Sequence, residues 1–295
     1  MKRIIAGLAL ASAATLITAG PAQAAPAAAK DPVAAVKKQF VAGKGVKFSE
    51  RSTAIQGGRR DIITRRTGSY QFSNSGVAAS DIVGKFNVKA LGPAPAEDDE
   101  DAKAFKALST PERTITVGKT SYMSGGFWSQ VLPEGKTWLK VPNAPFSGLT
   151  GVYGQPLNLT EAATIKTLIK GAKAAKGGYA GKITVGELRR ISPSFRGNLL
   201  LGTPSKKTAK VAISWKLTVD ANGLPSRLVS TFSLAALGVG APESAGLSVE
   251  TLYSGWGSAV KITAPPADQV TDTPKTGTDD DTIPSLELPL SRIVK

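Results

Sequence analysis

The sequence predicts an α+β domain, an antiparallel β-sheet with helices over one face. Two observations predict it. Val211, Ile213, Trp215, Leu217 and Val219 interleave with Ala212, Ser214, Lys216, Thr218 and Asp220, the period-two pattern of a strand with one buried side. The strand-like runs are joined by short turns, and their order is strands, a helix, then strands, which favours hairpins over parallel crossovers.

The elements follow in chain order. Asp31-Pro32 predicts a helix start, with Asp as N-cap and Pro in the first turn; Val33, Val36 and Phe40 follow at helical spacing toward a stop near Gly43. From Val46 the period shortens, and Ile82, Phe86 and Val88 alternate with Lys85, Asn87 and Lys89 as a half-buried strand. Residues 93–101, PAPAEDDED, read as an acidic loop. Ile115 and Val117 resume the strand pattern before a turn at Gly118-Lys119. Residues 128–131 and 136–141 read as two strands joined by Pro133-Glu134-Gly135. After a proline-bearing loop at 142–157, Thr160 predicts a cap for a helix with Glu161 in its first turn. On that helix Ile165, Leu168, Ile169 and Ala172 share a face, with Lys166, Lys170 and Lys173 beside it, as far as Gly177-Gly178. A strand at 179–184 and a short helix come next. Asp220-Ala221-Asn222-Gly223 is a hairpin signal that returns the chain as a strand over 224–234. A final strand pair is expected at 247–253 and 258–263.

Composition narrows the chemistry. The 295 residues are 41% hydrophobic, enough for a core, and contain neither His nor Cys. Ser-His-Asp and Cys-His catalysis, imidazole metal ligands, disulfides and thiolate sites are thereby excluded. Lys plus Arg number 37 against 22 acidic residues, a formal charge of +15. The basic pairs Arg59-Arg60, Arg65-Arg66, Arg189-Arg190 and Lys206-Lys207 are scattered without interleaved aromatics, so nucleic acid is not expected as a partner. Anionic membrane surfaces or wall polymers suit the charge better, and surface charge for solubility alone suits it as well.

The first residues read as an address. Lys2 and Arg3 precede an apolar run to Gly20, and Ala22-Gln23-Ala24 offers a cleavage site, the pattern of a secretory signal peptide. The expected organisation is a signal peptide over 1–24, an Ala/Pro leader over 25–30, one domain over 31–271, and a polar, disordered tail over 272–295. The expected location is secreted or in the cell envelope.

Short motifs that mimic enzymes fail on context. Ser258-Ala259-Val260-Lys261 and Lys275-Thr276-Gly277 fit the S-x-x-K and K-T-G of penicillin-recognising enzymes, but the first lies in a strand pattern and the second in the tail. Gly118-Lys119-Thr120 and Gly135-Lys136-Thr137 lack the earlier Gly of a P-loop, its place being taken by Arg113 and Gln130. The cluster Glu97 to Asp101 lacks the alternating spacing of a Ca²⁺ loop. No cofactor, metal site or catalytic residue is expected. A carboxylate-based glycosidase stays open in principle, though few acidic residues lie near aromatic sugar platforms. The stripe from Val211 to Val219 reads first as an ordinary core face and second as the wall of an apolar cavity.

Three segments carry a resemblance: Gly135-Lys136-Thr137-Trp138-Leu139-Lys140-Val141, Leu217-Thr218-Val219-Asp220-Ala221-Asn222-Gly223-Leu224-Pro225, and Tyr253-Ser254-Gly255-Trp256-Gly257-Ser258-Ala259-Val260-Lys261-Ile262 with Ala264-Pro265-Pro266-Ala267. In this order the chain resembles the actinobacterial envelope lipoproteins of the LppX/LprG type, which are similar in fold to LolA. The resemblance implies a strongly curved, half-open antiparallel sheet, an incomplete barrel, with helices covering its concave face. It also implies a non-enzymatic binding or carrier protein for lipids or acylated molecules. Val211, Ile213, Trp215 and Leu217 would line the cavity from the sheet, and Ile165, Leu168 and Ile169 from the helix. Lys166, Lys170 and Lys173 would contact an anionic membrane surface. The chain departs from the family in lacking the Cys that takes the lipid anchor, so the protein would be released rather than anchored. The alternative is an envelope structural or interaction protein with a solid core, binding wall polymers or another envelope protein through its basic surface. The oligomeric state stays open.

Overall fold

The structure, a computed structural model, describes residues 31–275 except 92, 93, 95, 97–99, 144–146, 198–201 and 238–243. The expected signal peptide, the leader and residues 276–295 of the expected tail lie outside the described residues.

Among the described residues, twelve strands form one sheet. They are β1 Lys44–Gln56, β2 Arg59–Ser73, β3 Gly76–Phe86, β4 Glu112–Val117, β5 Thr120–Gly125, β6 Trp138–Val141, β7 Lys173–Ala175, β8 Gly178–Thr184, β9 Ala212–Val219, β10 Pro225–Ser233, β11 Gly246–Ala259 and β12 Val270–Thr271. Their spatial order is β12-β6-β5-β4-β3-β2-β1-β11-β10-β9-β8-β7. Two consecutive meanders, β1 to β6 and β7 to β11, therefore meet at the antiparallel β1–β11 pair. Every pairing is antiparallel except that of β12 with β6. The sheet is not closed into a barrel; β12 and β7 are its edges.

A few short helices accompany the sheet: α1 Pro32–Lys37, α2 Glu100–Ser109, α3 Ala162–Lys170, α4 Val185–Ile191 and α5 Pro193–Arg196. Asp31 caps α1 as expected, its carboxylate accepting from the Val33 N–H at 2.9 Å. Thr184 and Ser192 cap α4 and α5 in the same way, accepting from the Glu187 and Phe195 N–H groups. None of the described helices is long and apolar enough to cross a membrane.

One contiguous core joins inward strand residues such as Ile63, Ile213, Leu228 and Leu247 to Val36, Leu108, Ile165, Leu168 and Leu188 from four of the helices. Alternation in β9 is as read from the sequence, with Ile213, Trp215 and Leu217 buried. The 220–223 turn is also where it was expected: the Asp220 carboxylate accepts from the N–H groups of Asn222 and Leu224.

Several element assignments are corrected. Val88 is not in a strand; it begins a 3-10 turn at Val88–Leu91. Residues 126–130 form a 3-10 helix rather than a strand, and Trp128 is spent on a buried hydrogen bond described below. The acidic segment ends inside α2, a helix its run of like charge concealed. The N-cap of α3 is Glu161, one residue after Thr160, and the helix stops at Lys170 on Gly171. Ala172 therefore lies beyond the helix and Lys173 sits on β7, so the three lysines do not form one helical stripe. Residues 246–259 are one long strand instead of two, its pairing with β1 slipping between Lys47–Ser254 and Gly45–Ser258, across Gly255-Trp256-Gly257. Trp256 in that slip stacks on Phe72 at 6.0 Å and donates its indole N–H to the Pro225 carbonyl at 2.8 Å.

Candidate functional site

The inner face of the central strands is not all apolar. Val46 and Phe48 point inward on β1, and the next inward positions are Glu50 and Ser52. On β2 the corresponding phase places Thr64 and Arg66 inside. Over these residues lies a cleft of about 510 Å³. Its apolar wall includes Phe48, Tyr70, Ile82, Val152, Leu157 and Phe195.

The roof of the cleft is the segment 147–161, and one carboxylate pins it. Glu112, at the start of β4, is 5% exposed. It accepts from Trp128 Nε1 at 2.9 Å, the Leu149 N–H at 3.0 Å, the Thr150 N–H at 2.7 Å and Thr150 Oγ1 at 2.6 Å. Two of those donors are backbone groups at the N-terminus of the Thr150–Tyr153 3-10 turn, which would otherwise be orphaned. Gly148 takes φ +79°, and a Cβ there would sit 2.4 Å from Glu112 Oε1. Further along, Ser52 Oγ donates to the Tyr153 carbonyl at 2.5 Å, tying the roof to β1.

The floor is a chain of polar groups crossing four strands. Arg66 Nη1 donates to Glu50 Oε1 at 2.8 Å, with side-chain exposures of 6% and 3%. Arg66 Nη2 reaches the Ser147 carbonyl at 3.4 Å, and its Nε is buried without a hydrogen bond. Thr251 Oγ1 donates to Glu50 Oε2 at 3.0 Å, and Gln155 Nε2 donates to Thr251 Oγ1 at 3.3 Å. Ser230 Oγ donates to Gln155 Oε1. Burial works against the Arg66 charge, yet the Glu50 carboxylate together with Tyr70 and Glu112 outweighs it, and the guanidinium pKa stands above its ordinary value. Burial pushes Tyr70 up to about 12, with Arg66 opposing and Glu50 and Glu161 adding to the rise. Burial likewise lifts Tyr253 well above the usual phenol range, helped by Tyr70 and Glu50. Both phenols stay neutral across the physiological range, and both residues line the cleft.

Close backbone approach sets the guanidinium in place. Gly154 passes so near that a Cβ would lie 2.1 Å from Arg66 Nη1. Gly154→Ala is expected to displace the guanidinium from Glu50 and lower stability by about 1–3 kcal/mol, the usual cost of overpacking; urea denaturation reads it.

The residues named from the sequence lie elsewhere. Ile213, Trp215, Leu217, Ile165 and Leu168 are each 4% exposed or less and pack into the common core, with Ile169 and Val211 partly buried against it. The sheet stripe and the helix stripe belong to one core, and none of the seven lines the cleft. Lys166 and Lys170 are exposed on α3 and Lys173 on β7. Glu50, Arg66, Thr251, Gln155 and the two tyrosines are not among the site residues expected from the sequence. A signal did exist: Glu50 and Arg66 occupy the inward phase of their strands. No group of three or more acidic residues among the described residues could hold a metal ion.

Both Glu50 oxygens are engaged and the Arg66 charge is paired. No family model and no curated protein matches the sequence. Among solved structures, the chain is similar to a DUF1329 family protein from Desulfovibrio piger, at 10% identity over 79% of this chain and 96% of that one, with a TM-score of 0.30. It is similar to a LolA superfamily protein from Nitrosomonas europaea, at 8% identity over 81% and 94% of the two chains, with a TM-score of 0.28. A porin-like protein from Bacteroides uniformis shares 8% identity over 73% of this chain and 98% of that one, with a TM-score of 0.24.

Proposed function

We propose that the chain is an exported, non-enzymatic binding or carrier protein for a lipid or another acyl-bearing molecule, LolA-like in the sense its LppX/LprG-type segments imply. The observation that carries the reading is the cleft, about 510 Å³ with Phe48, Tyr70, Ile82, Val152, Leu157 and Phe195 in its wall. That volume is typical of sites that enclose a small organic ligand. The polar groups of the floor are bonded to one another, so a hydrogen-bonding ligand finds few open partners there. An acyl chain gains about 0.8 kcal/mol for each CH₂ withdrawn from water. In this reading α3, α5 and the 147–161 segment take the part of the helices over a concave sheet. Lys166, Lys170 and Lys173 would meet an anionic membrane during transfer. The signal peptide would be cleaved near Ala24.

Native mass spectrometry of protein purified from its own host, followed by organic extraction, tests the reading. A stoichiometric acyl-chain ligand is the expected result. Ala163, exposed on the first turn of α3, borders the cleft. Ala163→Trp is expected to weaken uptake by about tenfold or more, a loss of about 1.4 kcal/mol, with an unchanged melting temperature. A clean apo mass that survives incubation with host lipids overturns the reading in favour of a solid-core interaction protein.

A further inference from the structure

The sheet face opposite the cleft carries an unusual row of charge. Cross-strand register places Arg51 opposite Arg65, and Arg65 opposite Lys85, on β1, β2 and β3. Like charges directly opposite each other destabilise a sheet. All three side chains are exposed. Arg51 is relieved by Glu250 at 2.5 Å, which also takes Arg227. Arg65 and Lys85 have no acidic partner among the described residues. One row along, Arg113 is held by Asp81 through two hydrogen bonds of 2.9 and 2.7 Å. Beside it Lys47, Arg113 and Lys261 border an open groove of about 490 Å³ together with Thr67 and Ser69.

We propose that this face is a docking surface for a flexible linear polyanion, a polymer of repeating phosphate or carboxylate groups. Charge complementarity identifies the chemistry. The cations recur strand by strand, about 4.8 Å apart, and a chain lying across the strands meets them one after another. Adjacent strands rotate by about 20–25°, so the row follows a twisted path that a flexible chain can track and a planar bilayer cannot. The neighbouring row runs Arg227, Leu252, Ser49, Thr67, Val83, Arg113. Its exposed Leu252 and Val83 are separated by Ser49 and Thr67, which denies a bilayer a continuous apolar patch. Neither row carries an aromatic ring on which a base could stack, which sets a nucleic acid aside.

The test measures binding of long-chain inorganic polyphosphate to the full chain between about 50 and 200 mM salt. Vesicles of phosphatidylglycerol and phosphatidylcholine serve as the comparison. Arg65→Gln with Lys85→Gln is expected to weaken polyphosphate binding by about tenfold and to lower the salt slope by about one for each cation removed. Lys166→Gln with Lys170→Gln removes the same charge from α3 and is expected to leave the affinity within about twofold. Melting temperatures of both variants confirm that they fold. Equal weakening by the two pairs overturns the proposal in favour of net charge alone. Binding to anionic vesicles without binding to polyphosphate overturns it in favour of a membrane, and binding to neither overturns it outright. Acyl-ligand uptake is read separately, so either proposal can fail without the other.

Discussion

Glu112→Ala is expected to lower the unfolding free energy by about 4 kcal/mol, read from urea denaturation. The carboxylate is buried and accepts four hydrogen bonds, two from backbone N–H groups, one from Trp128 and one from the Thr150 hydroxyl. Hydrogen bonds to a charged group are each worth about 1.5–3 kcal/mol, and a donor left buried without a partner costs about 1–3 kcal/mol. The sum overstates the loss, because the segment relaxes and water reaches some donors. The residues released are 149 and 150, at the start of the cleft's roof. Amide hydrogen exchange is therefore expected to rise across 148–154 before it rises in β1 or β2. Uniform exchange through the sheet and roof would show that Glu112 supports the whole sheet and does not specifically hold the roof.

Arg66→Met is expected to cost about 3–5 kcal/mol, because it strands the Glu50 carboxylate at 3% exposure without its counter-ion. Pairing it with Glu50→Leu is expected to recover most of that loss, since a buried pair replaced as a unit by apolar side chains is often neutral or stabilising. The double variant thus separates stability from use. If it folds well and retains acyl uptake, the pair is structural. If it folds well and loses uptake, the pair orients the ligand.

The sheet was legible because alternation and turn chemistry repeat. The strand expected at 211–219, which runs from Ala212 to Val219, the 220–223 hairpin and the capped start of α1 rest on local rules. The cleft was not legible, and the reason is register. A tight turn at Gly57-Gly58 opens the β1–β2 hairpin with Gln56 opposite Arg59. Carried on without interruption, that register would place Glu50 opposite Arg65. A bulge between Ser52 and Thr53 shifts it by one, and Arg66 becomes the partner. The rest of the floor comes from far along the chain, with Thr251 lying 201 positions from Glu50. Periodicity carries no information about such pairs. It misread 128–131 for a related reason, since the Trp128 indole is held by Glu112. The acidic run before α2 hid a helix behind a composition that reads as loop.

The seam between the two meanders has a kinetic consequence. Within each meander, successive strands are neighbours in the chain and can pair at the cost of closing short loops. The β1–β11 pair must close a loop that includes nearly everything between them, and contacts of such long range form late. Pulsed hydrogen exchange during refolding is expected to protect β3–β5 and β8–β10 before β1 and β11. Protection of β1 and β11 in the earliest phase would refute this order. Glu50 stands on one side of the seam and Thr251 on the other, so the cleft floor is completed only when the two halves join. A chain caught partway through folding, or still being synthesised, would have most of its sheet and no ligand site.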